Sequence, residues 1–282
     1  MPVDKNSTDI RGRLEAFLDE LDASPAPYIS HSTISTITRQ DTLKMIFAML
    51  YQPQQYFPRL ATMLAEAMNG NFTLLYNGLG TPKAEDSCPV RIPTTYTWGI
   101  DAMKAIACGD GESQARLTVP GFLNYTEHLK ADSPDFGGLW AFIRLGCTGW
   151  RFRPKYRFRG PWTTPEADPG EVEGRPSAPL LFVSSRIDPV TPLANAYAMS
   201  KGHPGSTVLV QENVGHGSLL SPSKCREEYI RKYFATGELP PVEMTCSSDC
   251  TPFQECPQMK IAALRLNETP RSKGRWPPLA LF

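Results

Sequence analysis

Two apolar runs, PLLFVSS at 179–185 and STVLVQE at 206–212, carry the strongest structural signal in the chain. Each is short and rich in β-branched or aromatic residues. An unbroken apolar run of that length predicts a parallel strand buried on both faces, because a half-exposed strand would alternate with polar residues. Between them TPLANAYAMSKG (191–202) predicts a helix, with Thr191 as its cap and Pro192 in its first position. After the second run, SPSKCREEYIRKYFATG (221–237) predicts another, with Tyr229, Ile230 and Phe234 inward and Gly237 as its stop. Strand, helix, strand, helix in that order is a piece of parallel α/β sheet.

Each predicted strand feeds a loop that bears chemistry. SSRIDPVTP sets Asp188 just past the first strand, and ENVGHGS sets His216 just past the second. Ligands of open α/β sheets bind outside the carboxyl ends of the strands, so both residues fall on the reactive edge. A carboxylate beside an imidazole fixes its tautomer and stabilises the imidazolium, leaving the other ring nitrogen to act as base. Gly215 and Gly217 permit a tight turn around the histidine. Taken singly, Asp188 before Pro189 also fits an ordinary turn, and His216 an ordinary surface histidine. Their succession, each after its own strand, is what favours a site. His31, His128 and His203 lack such a setting and are read as surface or loop residues.

Upstream the pattern changes. Apolar spacing predicts helices over 9–23, 41–51, about 56–69, about 96–107 and about 121–130, and a sixth starting at Ser133-Pro134. The first carries Leu14, Phe17, Leu18 and Leu21 on one face, and the second has Asp41 as its candidate cap. No strand is expected in the first 150 residues. Residues 151–159 alternate Arg151, Arg153, Lys155, Arg157 and Arg159 with Phe152, Tyr156 and Phe158. The stretch reads as an extended crossing segment with a solvated basic side rather than a nucleic-acid surface. The expected organisation is a helical region at 1–160, a Pro-, Gly- and acid-rich linker at 161–178, an α/β part at 179–245, and a Cys- and Pro-rich extension at 246–282 that wraps the surface.

Composition narrows the function. The 282 residues hold 29 Lys and Arg against 29 Asp and Glu. That balance excludes the basic footprint of a nucleic-acid binder or a polybasic membrane anchor. No apolar run approaches the roughly 20 residues that cross a bilayer. Seven cysteines (Cys88, Cys108, Cys147, Cys225, Cys246, Cys250 and Cys256) and four sequons, at Asn6, Asn71, Asn124 and Asn267, together favour an oxidising, secretory setting. The start, MPVDKNSTDIRGR, has no signal-peptide h-region. The two are reconciled if an N-terminal part of a longer secreted protein is absent, which also accommodates the odd cysteine count. The cysteines lack finger spacing, so no metal or organic cofactor is expected; Cys246, Cys250 and Cys256 are disulfide candidates whose pairing the spacing leaves open.

The order acid-then-histidine is that of α/β-hydrolases, whose nucleophile precedes both. PLLFVSSRIDPVTPLANAYAMS, GSTVLVQENVGHGS and CREEYIRKYFATGELPPVEMTC resemble the C-terminal region of tripeptidyl-aminopeptidase-like serine hydrolases, a family related to prolyl aminopeptidases, over about 179–246. AIACGD (105–110) and LGCTGW (145–150) resemble the family's helical lid more loosely. The resemblance implies an incomplete α/β-hydrolase fold: a lid region followed by the last βαβα units of the sheet. It assigns Asp188 and His216 as triad acid and base, pairs Cys225 with Cys246, and suggests a second pair in Cys108 and Cys147. The complete family protein is secreted, and its substrate is a peptide or small ester.

The departure from the family is the nucleophile. No G-x-S-x-G occurs anywhere in the sequence; neither GDGES at Ser113 nor GHGS at Ser218 fits. Three readings stay open. The chain is the C-terminal part of a serine hydrolase, with little turnover by itself. Or it is a non-catalytic binding or regulatory remnant of the fold, of the kind associated with a biosynthetic pathway. Or a separate chain supplies the nucleophile half. Two parallel strands cannot bury both faces unaided, so exposed apolar surface is expected.

Overall fold

A computed structural model describes residues 6–30, 33–79, 99–160, 162–164, 179–254 and 256. Cys88, Asn267, His31, most of the 161–178 linker and the extension from 257 onward lie outside the described residues. The described residues fall in two compact units, one within Met1–Ala48 and Ala61–Arg157, the other within Met49–Leu60 and Phe158–Gly274.

The first unit is mostly helical. α1 (Ser7–Ala23) starts where the Asn6 side chain accepts the Asp9 amide at 3.0 Å, and it buries Phe17, Leu18 and Leu21. Phe17 and Leu21 pack with Ala26 and Ala67, flanked by Leu14, Leu64, Met68 and Phe72. A hairpin that the sequence pattern did not predict follows. β1 (Ala26–Ser30) and β2 (Thr33–Ile37) pair antiparallel, Ala26 opposite Ile37 and Ile29 opposite Ile34. Its apolar residues do not favour one face, since Ile37 is buried while Ile29 and Ile34 are exposed. Stacking of Tyr28 on Tyr76, ring centres 4.0 Å apart, helps fix it from outside its own sequence.

α2 (Arg39–Leu50) is capped differently from the expectation. Thr38 is the cap: the Asp41 amide donates to its hydroxyl, while the Thr38 amide and hydroxyl donate to the Asp41 carboxylate at 3.1 and 2.7 Å. Asp41 is therefore the reciprocating third residue of a capping box. α3 (Pro53–Met68) begins at Pro53 rather than near 56, since proline suits a first turn whose amides have no partner. α4 (Thr73–Gly78) and α5 (Gly99–Asp110) precede α6 (Val119–Asp132), where Thr118 accepts the Gly121 amide. α7 (Gly137–Gly146) starts three residues after the predicted Ser133-Pro134 cap. Gly137 permits the approach to α6, because a Cβ there would collide with the Leu129 carbonyl. A disulfide joins Cys108 of α5 to Cys147 after α7. Arg153 and Arg157 donate to the carbonyls of Cys108, Asp110 and Gly111 at the end of α5, and Arg157 also pairs with Glu112. These two arginines satisfy a helix C-terminus.

The second unit holds a parallel sheet. β3 (Leu181–Ile187), α8 (Leu193–Ser200), β4 (Thr207–Val214), α9 (Lys224–Thr236) and β5 (Thr245–Ser247) follow in order, with strand order β3-β4-β5. The architecture is mixed α/β, as expected of the last units of a hydrolase sheet. β5 is an addition: it lies at the start of the stretch expected only to wrap the surface, and it pairs Cys246 with Gln211 in register. Among the described residues β4 is therefore central, with Val208, Leu209 and Val210 buried, whereas β3 lies at the sheet edge and its Ile187 is 61% exposed. The expected burial on both faces is met by β4 but not by β3, whose Leu181, Phe182 and Val183 are only half-buried. α9 ends at Gly237 in the left-handed conformation, as predicted. Its inward face differs, since Phe234 is 82% exposed and Arg226 is buried instead. Disulfides join Cys225 to Cys246 and Cys250 to Cys256.

Candidate active site

The ladder between β3 and β4 ends in an irregularity. Register shifts between Ser185 and Ile187, and the Gly215 amide donates to the Ile187 carbonyl at 2.9 Å. This extra bond carries the pairing past β4 and sets the two following loops side by side.

Asp188 is held by its own loop. Its Oδ1 accepts the amides of Val190 and Thr191, both at 2.8 Å, the geometry of an Asx turn. Its Oδ2 accepts the Thr191 hydroxyl at 3.0 Å and the Gly217 amide at 2.9 Å. Thr191 thus spends its hydroxyl on the carboxylate. It does not cap α8, which begins two residues later with Pro192 in the cap position. Burial by itself would raise the Asp188 pKa. The amides of Thr191, Val190 and Gly217, with the His216 ring, outweigh that and hold it below its ordinary value. The side chain is only 2% exposed, so it faces the imidazole as a desolvated, permanently charged group at neutral pH.

His216 sits between two glycines in conformations that favour glycine, φ +117° at Gly215 and +88° at Gly217. At Gly215 a side chain is also excluded by space, because its Cβ would lie 2.6 Å from the Pro53 ring and 3.1 Å from the Tyr51 carbonyl. The His216 amide donates to that same Tyr51 carbonyl at 2.9 Å, and the Tyr51 ring stands edge-on to the imidazole at 5.0 Å. Burial, and then the Asp188 charge, push the Tyr51 phenol upward, which keeps it neutral. His216 Nδ1 lies 3.1 Å from Asp188 Oδ1 and 3.3 Å from Oδ2. A carboxylate only accepts, so Nδ1 carries the hydrogen and the neutral ring keeps its lone pair on Nε2. At 35% exposure the ring is reachable. The pair can orient an imidazole, take a proton at Nε2 and stabilise the resulting cation.

Other predicted positions separate from this pair. His203 Nδ1 is 2.8 Å from the Thr164 hydroxyl, and His128 is exposed on α6. Asn6 caps α1, Asn71 forms a turn with Thr73, and Asn124 is exposed on α6. A cavity of about 220 Å³ opens near the ends of β3 and β4, lined by Ile187, Asn213 and Val214 among others. Asp188 and His216 do not line it. Tyr51 and Arg226 were missed from the sequence. Tyr51 acts through its carbonyl, which leaves no trace in side-chain pattern. Arg226, buried on α9, fell outside the inward stripe that the spacing picked out.

Among the described residues no cluster of three or more His, Cys, Asp or Glu could hold a metal, and no helix is long and apolar enough to cross a membrane. No curated protein matches the chain. Residues 133–246, which contain both Asp188 and His216 but make up less than half of the chain, match the family model described as TAP-like protein, and this region is accordingly hydrolase-fold, similar to the C-terminal region of tripeptidyl-aminopeptidase-like α/β-hydrolases.

Proposed function

We propose that this chain supplies the acid–base pair of a serine hydrolase acting on a peptide or small ester, with His216 as general base, Asp188 as the residue that orients it, and the nucleophilic serine coming from outside this sequence. The observation that carries the proposal is the 3.1 Å contact between His216 Nδ1 and a buried Asp188 at the ends of two adjacent parallel strands. The order acid-then-histidine and the TAP-like match over the same residues support it. In the reaction, Nε2 removes the proton from an attacking serine hydroxyl and returns it to the leaving group. Asp188 stabilises the imidazolium between those steps. The absence of G-x-S-x-G from the 282 residues is the reason for placing the nucleophile elsewhere.

The test is hydrolysis of aminoacyl- and peptidyl-chromogenic substrates by the purified chain, with His216→Ala beside it. Turnover near the buffer rate is expected for the chain alone. Robust turnover that disappears in His216→Ala overturns the external nucleophile and keeps the base. Robust turnover that survives His216→Ala overturns the base.

The missing motif also favours a second reading, a non-catalytic binding or regulatory remnant. Translating the genomic DNA immediately upstream of Met1 separates the two. An in-frame G-x-S-x-G there supports the hydrolase. Its absence favours the remnant, unless a co-purifying chain restores turnover.

A further inference from the structure

We infer that Arg226, together with Gln211, is a positioning residue for His216; the inference rests on the proposed role of His216 as general base. The two ends of the histidine loop are held differently. On the upstream side the Gly215 and His216 amides reach the Ile187 and Tyr51 carbonyls, and the Gly217 amide reaches Asp188. Downstream lies a three-residue 3-10 turn, Ser218–Leu220, with no side-chain cap. So short a turn leaves carbonyls in need of donors. Arg226 supplies them. Its Nη1 contacts the Ser218 carbonyl, donates to the Ser221 carbonyl at 2.9 Å and reaches Gln211 Oε1 at 2.7 Å. Gln211, fully buried on β4, donates its own Nε2 to the Ser221 carbonyl at 2.8 Å. Two side chains from the helix and the central strand thus converge on the turn that follows His216.

The arrangement is costly, which argues that it does something besides filling space. Arg226 is 3% exposed, and its burial pulls its pKa down. Among the described residues the carboxylate it touches is Glu227, at 3.3 Å and itself half in solvent, and Asp249 adds a more distant attraction. A buried cation facing mainly neutral carbonyls adds less stability than an apolar side chain of similar volume, and its use is to specify one arrangement of the groups around it. The base of the clamp is fixed independently. Ser223 accepts the Arg226 amide and donates to the Ser247 carbonyl, and the Cys225–Cys246 disulfide ties the first turn of α9 to β5. Gly217 lies between the clamp and the histidine, at φ +88° and with nothing within 4 Å of where a Cβ would be. Without Arg226 the turn loses its guanidinium donors, Gly217 becomes a hinge, and its bond to Asp188 loosens along with the imidazole setting.

The test uses the full chain with its disulfides intact. It follows the His216 Nδ1–H resonance and the hydrogen exchange of the Gly217 amide, with the Val210 amide of β4 as the control for folding. In Arg226→Met the Nδ1–H resonance is expected to broaden away and Gly217 exchange to quicken by about tenfold or more, with Val210 unchanged. Arg226→Lys, which keeps the charge but lacks the planar fork, is expected to recover part of both. Should Arg226→Met fail to fold, Gln211→Met is expected to move Gly217 in the same direction by about threefold. Exchange reads the clamp whatever His216 does chemically, so its outcome stands apart from that of the general-base reading. Folded variants with wild-type Gly217 exchange and Nδ1–H signal would overturn the inference, as would equal acceleration at Val210 and Gly217.

Discussion

The loops after β3 and β4 end on the two halves of one pair, yet they are built in opposite ways. The Asp188 loop is mostly self-contained: three of the carboxylate's contacts come from Val190 and Thr191, two and three residues on. The His216 loop does little for itself. Its contacts run to Tyr51, to Ile187 and Asp188, and to Arg226, from three other parts of the chain. The contrast teaches that a charged group wants a rigid local cradle to stay ionised. The imidazole needs only an orientation, which distant groups can impose.

Substitutions at the two loops sharpen or break that contrast. The largest effect is expected at Gly215→Ala. It adds a strained positive φ to a 2.6 Å clash with Pro53, and a loss of about 3 kcal/mol or more in denaturant unfolding is expected. Next comes Asp188→Asn, at about 2 kcal/mol near neutral pH, because a charged acceptor is removed from beneath five donors. This variant also tests the sign of the pH dependence. With its folded pKa depressed, Asp188 contributes stability that is fully present above the unfolded value of about 3.9 and is lost as pH falls through the lower folded value. The wild-type chain should lose stability through that acid window, and Asp188→Asn should lose less. Equal slopes would show that the carboxylate gains nothing from its cradle.

Gly217→Ala is expected to cost about 1.5 kcal/mol. It shares the positive φ of Gly215 but has open space around the added methyl. Equal losses at 215 and 217 would mean that conformation, not the Pro53 contact, controls the histidine loop. The smallest effect is expected at Thr191→Val, about 1 kcal/mol or below. One hydroxyl bond disappears while the Thr191 amide still serves Asp188. A loss larger than that of Asp188→Asn would mean that the hydroxyl, not the amides, holds the acid.

The same division explains what was legible in advance. Asp188 was readable because it follows one apolar run as His216 follows the other, although Asp before Pro alone also fits an ordinary turn. His216 was readable because glycines flank it after a second run. The element order from 179 to 237 followed from local pattern for the same reason. Where pattern was weak or a neighbour intervened, expectation failed. The β1–β2 hairpin lacks a single apolar face. β3 resembles β4 in composition yet lies at an edge. Phe234 fits the inward stripe of α9 on paper, but Arg226 occupies the buried side.

By itself the sequence determined two strands in succession, an acid after one and a histidine after the other, because turn chemistry, caps and apolar runs act over a few residues. Only the tertiary structure decided that β4 is the buried strand, that β5 flanks it, and that Tyr51, Gln211 and Arg226 hold the histidine loop. Those outcomes depend on hydrogen bonds and packing between residues far apart along the chain, whose partners no local pattern names.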